Sequence, residues 1–450
     1  MRLPRLIAAF VLAAGPALAA PAPAPATDAD LPAARKAWEK RDLKALEGWR
    51  DRFAGHALEA YPAYWHLSAT LEKADPAAIR AFLAQHADTP LAEPLRRDWL
   101  KLLGAAGRWD DFRLEYPLVA SDDTEVACYA LQERLARGDA AALKEARALW
   151  LEGREAPAAC TPPFEAAAAE RLIGPPEAWE RIRRLLAAGL VAEARRANAF
   201  LPNKEQLNEA ALQRAAADPG RYLAGEKSRI PSRATHELML FAVTRLARSK
   251  PEEAARHLEA HAAALGADDT RQGWARIAHA AAQQHHPRAT EWFGKAGEGP
   301  FTVAQLRWKA RAALRAGDWA AVRGAVNLMP PEESRDPAWR YWLARALLEE
   351  GAKPAAGAIL RPLAGERHFY GLLAAEDLGI AVAPDWTARP VADDDVARIR
   401  AIPAVGRAIA LYRLDMNAEA FREWVHGLRA VDDRGLLAAS EVALQAALAD

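Results

Sequence analysis

FTVAQLRWKARAALRAGDWAAVRGAVNLMPPEESRDPAWRYWLARALLEEGAKPAAGAILRPLAGERHFYGLLAAEDLG, residues 301–379, is the stretch that decides the fold. Val303, Leu306, Ala310, Ala313 and Leu314 recur at the spacing of one helix face. Trp339, Trp342, Leu343, Ala346 and Leu347 form a second apolar stripe at i, i+3, i+4, i+7 and i+8. Gly317 and Gly351 stand where a left-handed residue closes a helix, and they lie 34 residues apart, one helix-turn-helix period. Asp318 is placed to cap the next helix, and Pro354 suits a first helical turn. No single helix here can bury its own stripe, so each must stack on its neighbours. The expected fold is an all-α solenoid of helix-turn-helix pairs.

The rest of the 450 residues agrees with that class. Hydrophobic residues make up 51% and charged residues 27%, alanine is abundant, and runs of Val, Ile and Thr are scarce. Sixty basic residues balance 60 acidic ones. Such a chain carries no electrostatic footprint for nucleic acid or for an anionic membrane.

Residues 1–19 (MRLPRLIAAFVLAAGPALA) read as a signal peptide. Arg2 and Arg5 precede an apolar core from Leu6 to Ala14 that is too short to span a bilayer, and Ala17-Leu18-Ala19 fits a cleavage site. Residues 20–30 read as an Ala/Pro linker. No other segment approaches 18 consecutive apolar residues, so no membrane span is expected in the mature chain. Helical punctuation recurs at Gly107, Gly138, Gly189 and Pro251. The phrase Gly107-Arg-Trp109 echoes Gly317-Asp-Trp319, each Trp being placed to pack back on the preceding helix. The irregular spacing makes the array degenerate. Residues 218–235 (DPGRYLAGEKSRIPSRAT) read as the least helical internal stretch. Its Lys227, Arg229 and Arg233 would be either a grip for carboxylates or a solvated connection. Past Gly379 the texture changes at Ala383-Pro-Asp-Trp386, and a new helical segment begins near Ile399. The apolar run Leu436, Leu437, Val442, Leu444 and Leu448 has no stop signal before Asp450.

Several phrases resemble one family. W-R-Y-W-L-A-R-A-L (339–347), N-L-M-P (327–330), G-E-R-H-F-Y-G-L-L-A-A (365–375) and T-P-L-A-E-P-L-R-R-D-W-L (89–100) look like the superhelical U-shaped domain of soluble lytic murein transglycosylases. PAVGRAIALYRLDMNAEAFREW (403–424) is similar to the linker domain that follows it in that family. The resemblance implies a U-shaped domain over 31–380 and a linker domain over 385–450, truncated at its C-terminus. It further implies a periplasmic protein that holds peptidoglycan glycan strands, with a separate catalytic domain cleaving the MurNAc-GlcNAc β-1,4 bond. Cys128 and Cys160 are the only cysteines. An exported chain with an even count permits pairing, two buried thiols being the alternative, and the resemblance places a disulfide in this region.

Chemistry is sparse. The family's catalytic glutamate precedes a serine in E-S-x-F or E-S-x-Y, with G-L-M-Q downstream. The only Glu-Ser pair, Glu333-Ser334, lies in a proline-rich turn and G-L-M-Q is absent, so no catalytic residue is assigned. His257 and His261 sit at i and i+4 but in the order H-L-E-A-H, and His285-His286 end a helix, so no metal site is assigned and no cofactor is expected. The tryptophans fall on apolar stripes and read as core, while Arg340, Arg345 and Arg367 are the candidate contacts to glycan or peptide. A helical-repeat scaffold for periplasmic protein partners is the competing reading.

Overall fold

Helix Val303–Ala316 starts on a capping box between Thr302 and Gln305 and stops at Gly317, whose φ is 68°. Asp318 then accepts a hydrogen bond from the Ala321 N–H and opens helix Trp319–Asn327. The same device recurs across a computed structural model that describes residues 24–225, 232–381 and 390–446. Among these residues every regular element is a helix. The expected signal segment, Lys227, Arg229, Trp386 and Leu448 lie outside the described residues.

The chain divides into two compact units. One comprises Ala127–Thr387. Its main core runs from Cys128 to Ala312 and is built of alanines, leucines and a few large rings, including fully buried Trp150 and Trp292. Cys128 and Cys160 are joined, with an S–S distance of 1.95 Å. Helix Pro251–Gln283 breaks at Gly266, whose φ of 78° and ψ of 172° no helix contains. The break turns the second arm back onto the first. A Cβ at Gly273 would stand 2.6 Å from a Leu258 methyl, so the two arms approach as closely as a glycine allows.

Helix Pro337–Glu349 is buried on more sides than one stripe provides. Trp339 packs with Leu306 and Val326, whereas Tyr341 and Ala344 pack with Leu360, Leu363 and Ala374. Trp342, expected to be largely buried, is only half-buried because it lies between two small clusters rather than inside one. The 218–235 stretch also departs from expectation. Pro219–Gly225 is a helix that buries Tyr222 and Leu223, and Arg233 opens helix Arg233–Ala247, where it pairs with Glu237 at 2.7 Å.

The other unit comprises Met1–Val126 and Ala388–Asp450. Helices from both ends of the chain meet in it across a buried polar seam. Glu423, which is 0% exposed, accepts hydrogen bonds from the Tyr61 hydroxyl at 3.1 Å and from Arg407 Nε at 3.0 Å. Arg407 also donates to the Asp88 carboxylate at 2.9 Å and to its carbonyl at 2.8 Å. Burial raises the Glu423 pKa while Arg407 opposes it. Burial and the Glu423 charge together raise the Tyr61 pKa. On one side the C-terminal helices bury Ile399, Val405, Leu428, Ala438, Ala439 and Val442, and on the other the N-terminal helices bury Phe53, Leu58, Trp65, Ile79 and Phe82. The leucines expected to line helix Asp433–Gln445 point outward instead, Leu444 being 73% exposed, and Phe421 on helix Asn417–Leu428 is 60% exposed. Small residues carry the contact on the last helix because they let it approach closely.

Among the described residues no helix is long and apolar enough to cross a membrane.

Candidate functional site

Glu333 is held as a structural anion. It sits on the four-residue helix Pro331–Ser334, accepts from Arg307 Nε at 2.7 Å and accepts from the Trp339 indole N–H at 2.6 Å. The Arg307 hydrogen bonds keep its carboxyl below the usual glutamate range, with Trp339 adding to the effect. A general acid needs the opposite shift.

The histidine pairs are absorbed by packing. His261 hydrogen-bonds the Leu223 carbonyl at 3.0 Å, and burial lowers the His257 pKa. His286 stacks on Trp292 with centroids 5.0 Å apart, and its Nδ1 accepts from the Arg288 N–H. Among the described residues no group of three or more His, Cys, Asp or Glu side chains is placed to hold a metal. Of the three candidate arginines, Arg340 pairs with Glu366 at 2.6 Å and Arg345 with Asp377 at 3.0 Å. Arg367 is exposed and makes no hydrogen bond among the described residues.

A polar cleft of the Ala127–Thr387 unit lies elsewhere, and the sequence reading passed over it. It has a volume of about 1020 Å³. Helix Pro175–Ala188 contributes Glu180, Arg183 and Arg184, and helix Arg233–Ala247 contributes Thr244. The second arm of Pro251–Gln283 contributes Gln272, Arg276, His279 and Gln283, and residues 300–305 close one side with Phe301 and Gln305. Gln272, Arg276, His279 and Gln283 stand at i, i+4, i+7 and i+11, so one helix face supplies them all. The legible signal was this polar stripe on an otherwise alanine-rich arm.

Arginines dominate the cleft, and most are engaged. Arg183 donates to the buried Glu237 carboxylate at 2.7 Å and pairs with Glu180 at 3.4 Å. Arg184 donates to Glu180 at 2.8 Å, and Arg248 to the Ala187 carbonyl at 2.9 Å. Arg276 makes no hydrogen bond or ion pair among the described residues. Burial pulls its pKa below the usual arginine range, with Glu237 opposing. Burial also lowers the His279 pKa, the Arg248 charge adding to it, and its Nε2 is buried without a partner. Arg181, by contrast, is a buried cation fully served: it donates to the carbonyls of Trp150 and Arg154 and lies 4.7 Å over the Trp150 ring.

Known proteins resemble both ends of this architecture. Residues 398–450 match the soluble lytic murein transglycosylase L domain. The soluble lytic murein transglycosylases of Salmonella typhimurium and Escherichia coli K12 are each 24% identical over 353 residues, or 77% of this chain and 54% of the relative. The chain thus spans about half the length of the curated relatives it matches. The solved structure of an inactive mutant of the lytic transglycosylase Slt from Pseudomonas aeruginosa superposes with a TM-score of 0.67 at 26% identity. That match covers 92% of this chain and 68% of the other. The 70-kDa soluble lytic transglycosylase of Escherichia coli gives 0.61 at 21% identity, over 93% of this chain and 68% of the other, which speaks for the fold alone. The all-α superhelical fold, the matched L domain and the curated relatives over three quarters of its length agree in making the chain similar to the soluble lytic murein transglycosylases.

Proposed function

We propose that this chain is a periplasmic, non-catalytic portion of a peptidoglycan lytic transglycosylase, holding murein glycan strands while a domain not contained in these residues cleaves the MurNAc-GlcNAc β-1,4 bond. The observation that carries the reading is the L-domain match at 398–450 on helices packed against the N-terminal helices. Two features support export: the signal-like segment at 1–19 and the Cys128–Cys160 bond, a linkage that persists in oxidising compartments. The state of Glu333 supports a holding role over a cutting one, because a carboxylate stabilised in its charged form is a poor proton donor. Long strands suit such a surface, since many weak contacts along one polymer add through effective concentration.

The test uses the mature chain and purified sacculi. The protein is expected to pellet with sacculi and to release no anhydro-muropeptides detectable by mass spectrometry. Release of those products would overturn the non-catalytic assignment. Failure to pellet would favour a helical-repeat scaffold for protein partners.

A further inference from the structure

Arg276 is the unusual residue of the cleft in the Ala127–Thr387 unit. A half-buried guanidinium is costly unless hydrogen bonds or an anion compensate it. Two neighbouring buried cations are compensated: Arg181 by carbonyls and rings, Arg183 by Glu237. Glu237, the carboxylate whose charge acts on Arg276, is already engaged by Arg183 and by Arg233 at 2.7 Å. Arg276 has no such hydrogen bond or ion pair among the described residues.

What surrounds it narrows the choice. Gln272 and Gln283 flank Arg276 on the same helix face and make no hydrogen bond among the described residues, so their amides are free to donate and accept. Ala275, Ala280 and Phe301 supply apolar wall between these polar groups. Arg184 and Arg248 add positive charge, and Glu180, the one carboxylate in the lining, is consumed by Arg183 and Arg184. A guanidinium, two amides and an apolar wall in a cleft of this size fit an anion attached to an amide-rich body. A carboxylate matches the planar guanidinium in two parallel hydrogen bonds.

We propose that this cleft binds the free carboxylate of a short peptide, with Arg276 as its pairing cation and Gln272 and Gln283 reading the peptide amides. The choice of a peptide over another carboxylate rests on the peptidoglycan role proposed above, whose stems are peptides with free carboxylates.

The experiment titrates the full chain, by calorimetry, with an N-acetylated tetrapeptide ending in D-alanine and with its C-terminal amide. The acid is expected to bind at least tenfold more tightly than the amide. Arg276→Gln is expected to abolish that difference and Arg276→Lys to keep part of it, with circular dichroism confirming the fold of each. Gln283→Ala, at the rim, should weaken acid and amide by the same factor. Equal binding of acid and amide to the wild type would overturn the proposal whatever the variants do, and so would undiminished preference in a folded Arg276→Gln. Displacement of the peptide by inorganic phosphate at equal concentration would overturn the peptide assignment. If sacculi pellet the chain but acid and amide bind alike, the cleft proposal fails and the glycan-holding role stands. If the acid preference depends on Arg276 but sacculi do not pellet the chain, the carboxylate site stands and the glycan-holding role falls.

Discussion

The two units are held together by different chemistry. Between Ala127 and Thr387 helices stack through alanine, leucine and tryptophan on partners that lie next to them or a few helices away in sequence. In the other unit, segments more than 300 residues apart in the chain meet through Tyr61, Asp88, Arg407 and Glu423. Apolar stacking tolerates many sequences, because it asks only for a stripe of roughly the right volume. A buried ion pair asks for one partner in one geometry, and it penalises any alternative that leaves a charge unpaired. Local stacking therefore builds the repeat, and the polar seam specifies which distant helices belong together.

The strongest way to break this contrast is Arg407→Ala. It strands Glu423 in a fully buried position, and the expected loss is about 3–5 kcal/mol. Replacing the pair together, Arg407→Met with Glu423→Leu, should recover most of that loss. Chemical denaturation measures both. Hydrogen exchange should show faster exchange in helices Pro403–Tyr412 and Asn417–Leu428 while Arg233–Ala247 stays protected. Equal loosening everywhere would erase the distinction between the units.

Next in size is the disulfide. Cys128→Ser with Cys160→Ser should cost roughly 3–4 kcal/mol on the chain-entropy account of a 32-residue separation. Thiol titration of the unfolded, unreduced mature protein should find no free thiol, and two reactive thiols would remove the bond from the account.

Acid sharpens the comparison further. The Glu333 pKa is lowered in the folded state, so its contribution is present above the unfolded value of 4.5 and is lost as pH falls through the folded one. The Glu423 pKa is raised, so its contribution is fully present below 4.5 and is lost as pH rises through the folded value. Glu333→Gln should therefore reduce the destabilisation seen below pH 4.5. Glu423→Gln should leave that acid limb in place. Thermal melts between pH 3 and 7 would read both. The smallest effect belongs to the partly exposed Arg340–Glu366 pair, where Arg340→Ala should change stability by less than about 1 kcal/mol.

Much of the repeat was legible because its signals are local. Gly317, Asp318 and Gly351 each act on the turn that contains them, and each occupies the position its sequence context dictates. Pro219–Gly225 was missed for the same reason: Asp218-Pro-Gly reads as a turn, yet the proline occupies the first helical position, where its missing N–H costs nothing. The exposed Leu444 was misplaced because an apolar residue carries no mark of which helix face finds a partner. The seam was illegible because Tyr61 and Glu423 have no sequence relation, only a spatial one. The cleft lay between these cases. The stripe Gln272, Arg276, His279 and Gln283 is readable as a pattern, but that Arg276 makes no hydrogen bond or ion pair among the described residues is visible only in three dimensions.

The seam also sets a clock. Tyr61 and Asp88 leave the ribosome before all of Ala127–Thr387, whereas Arg407 and Glu423 follow it. At about 5–20 residues per second, that interval lasts on the order of tens of seconds. Throughout it the N-terminal helices lack the helices that cover them. A chain halted between these points leaves Tyr61 and Asp88 without their seam partners, so the seam closes only after the whole of Ala127–Thr387 is present.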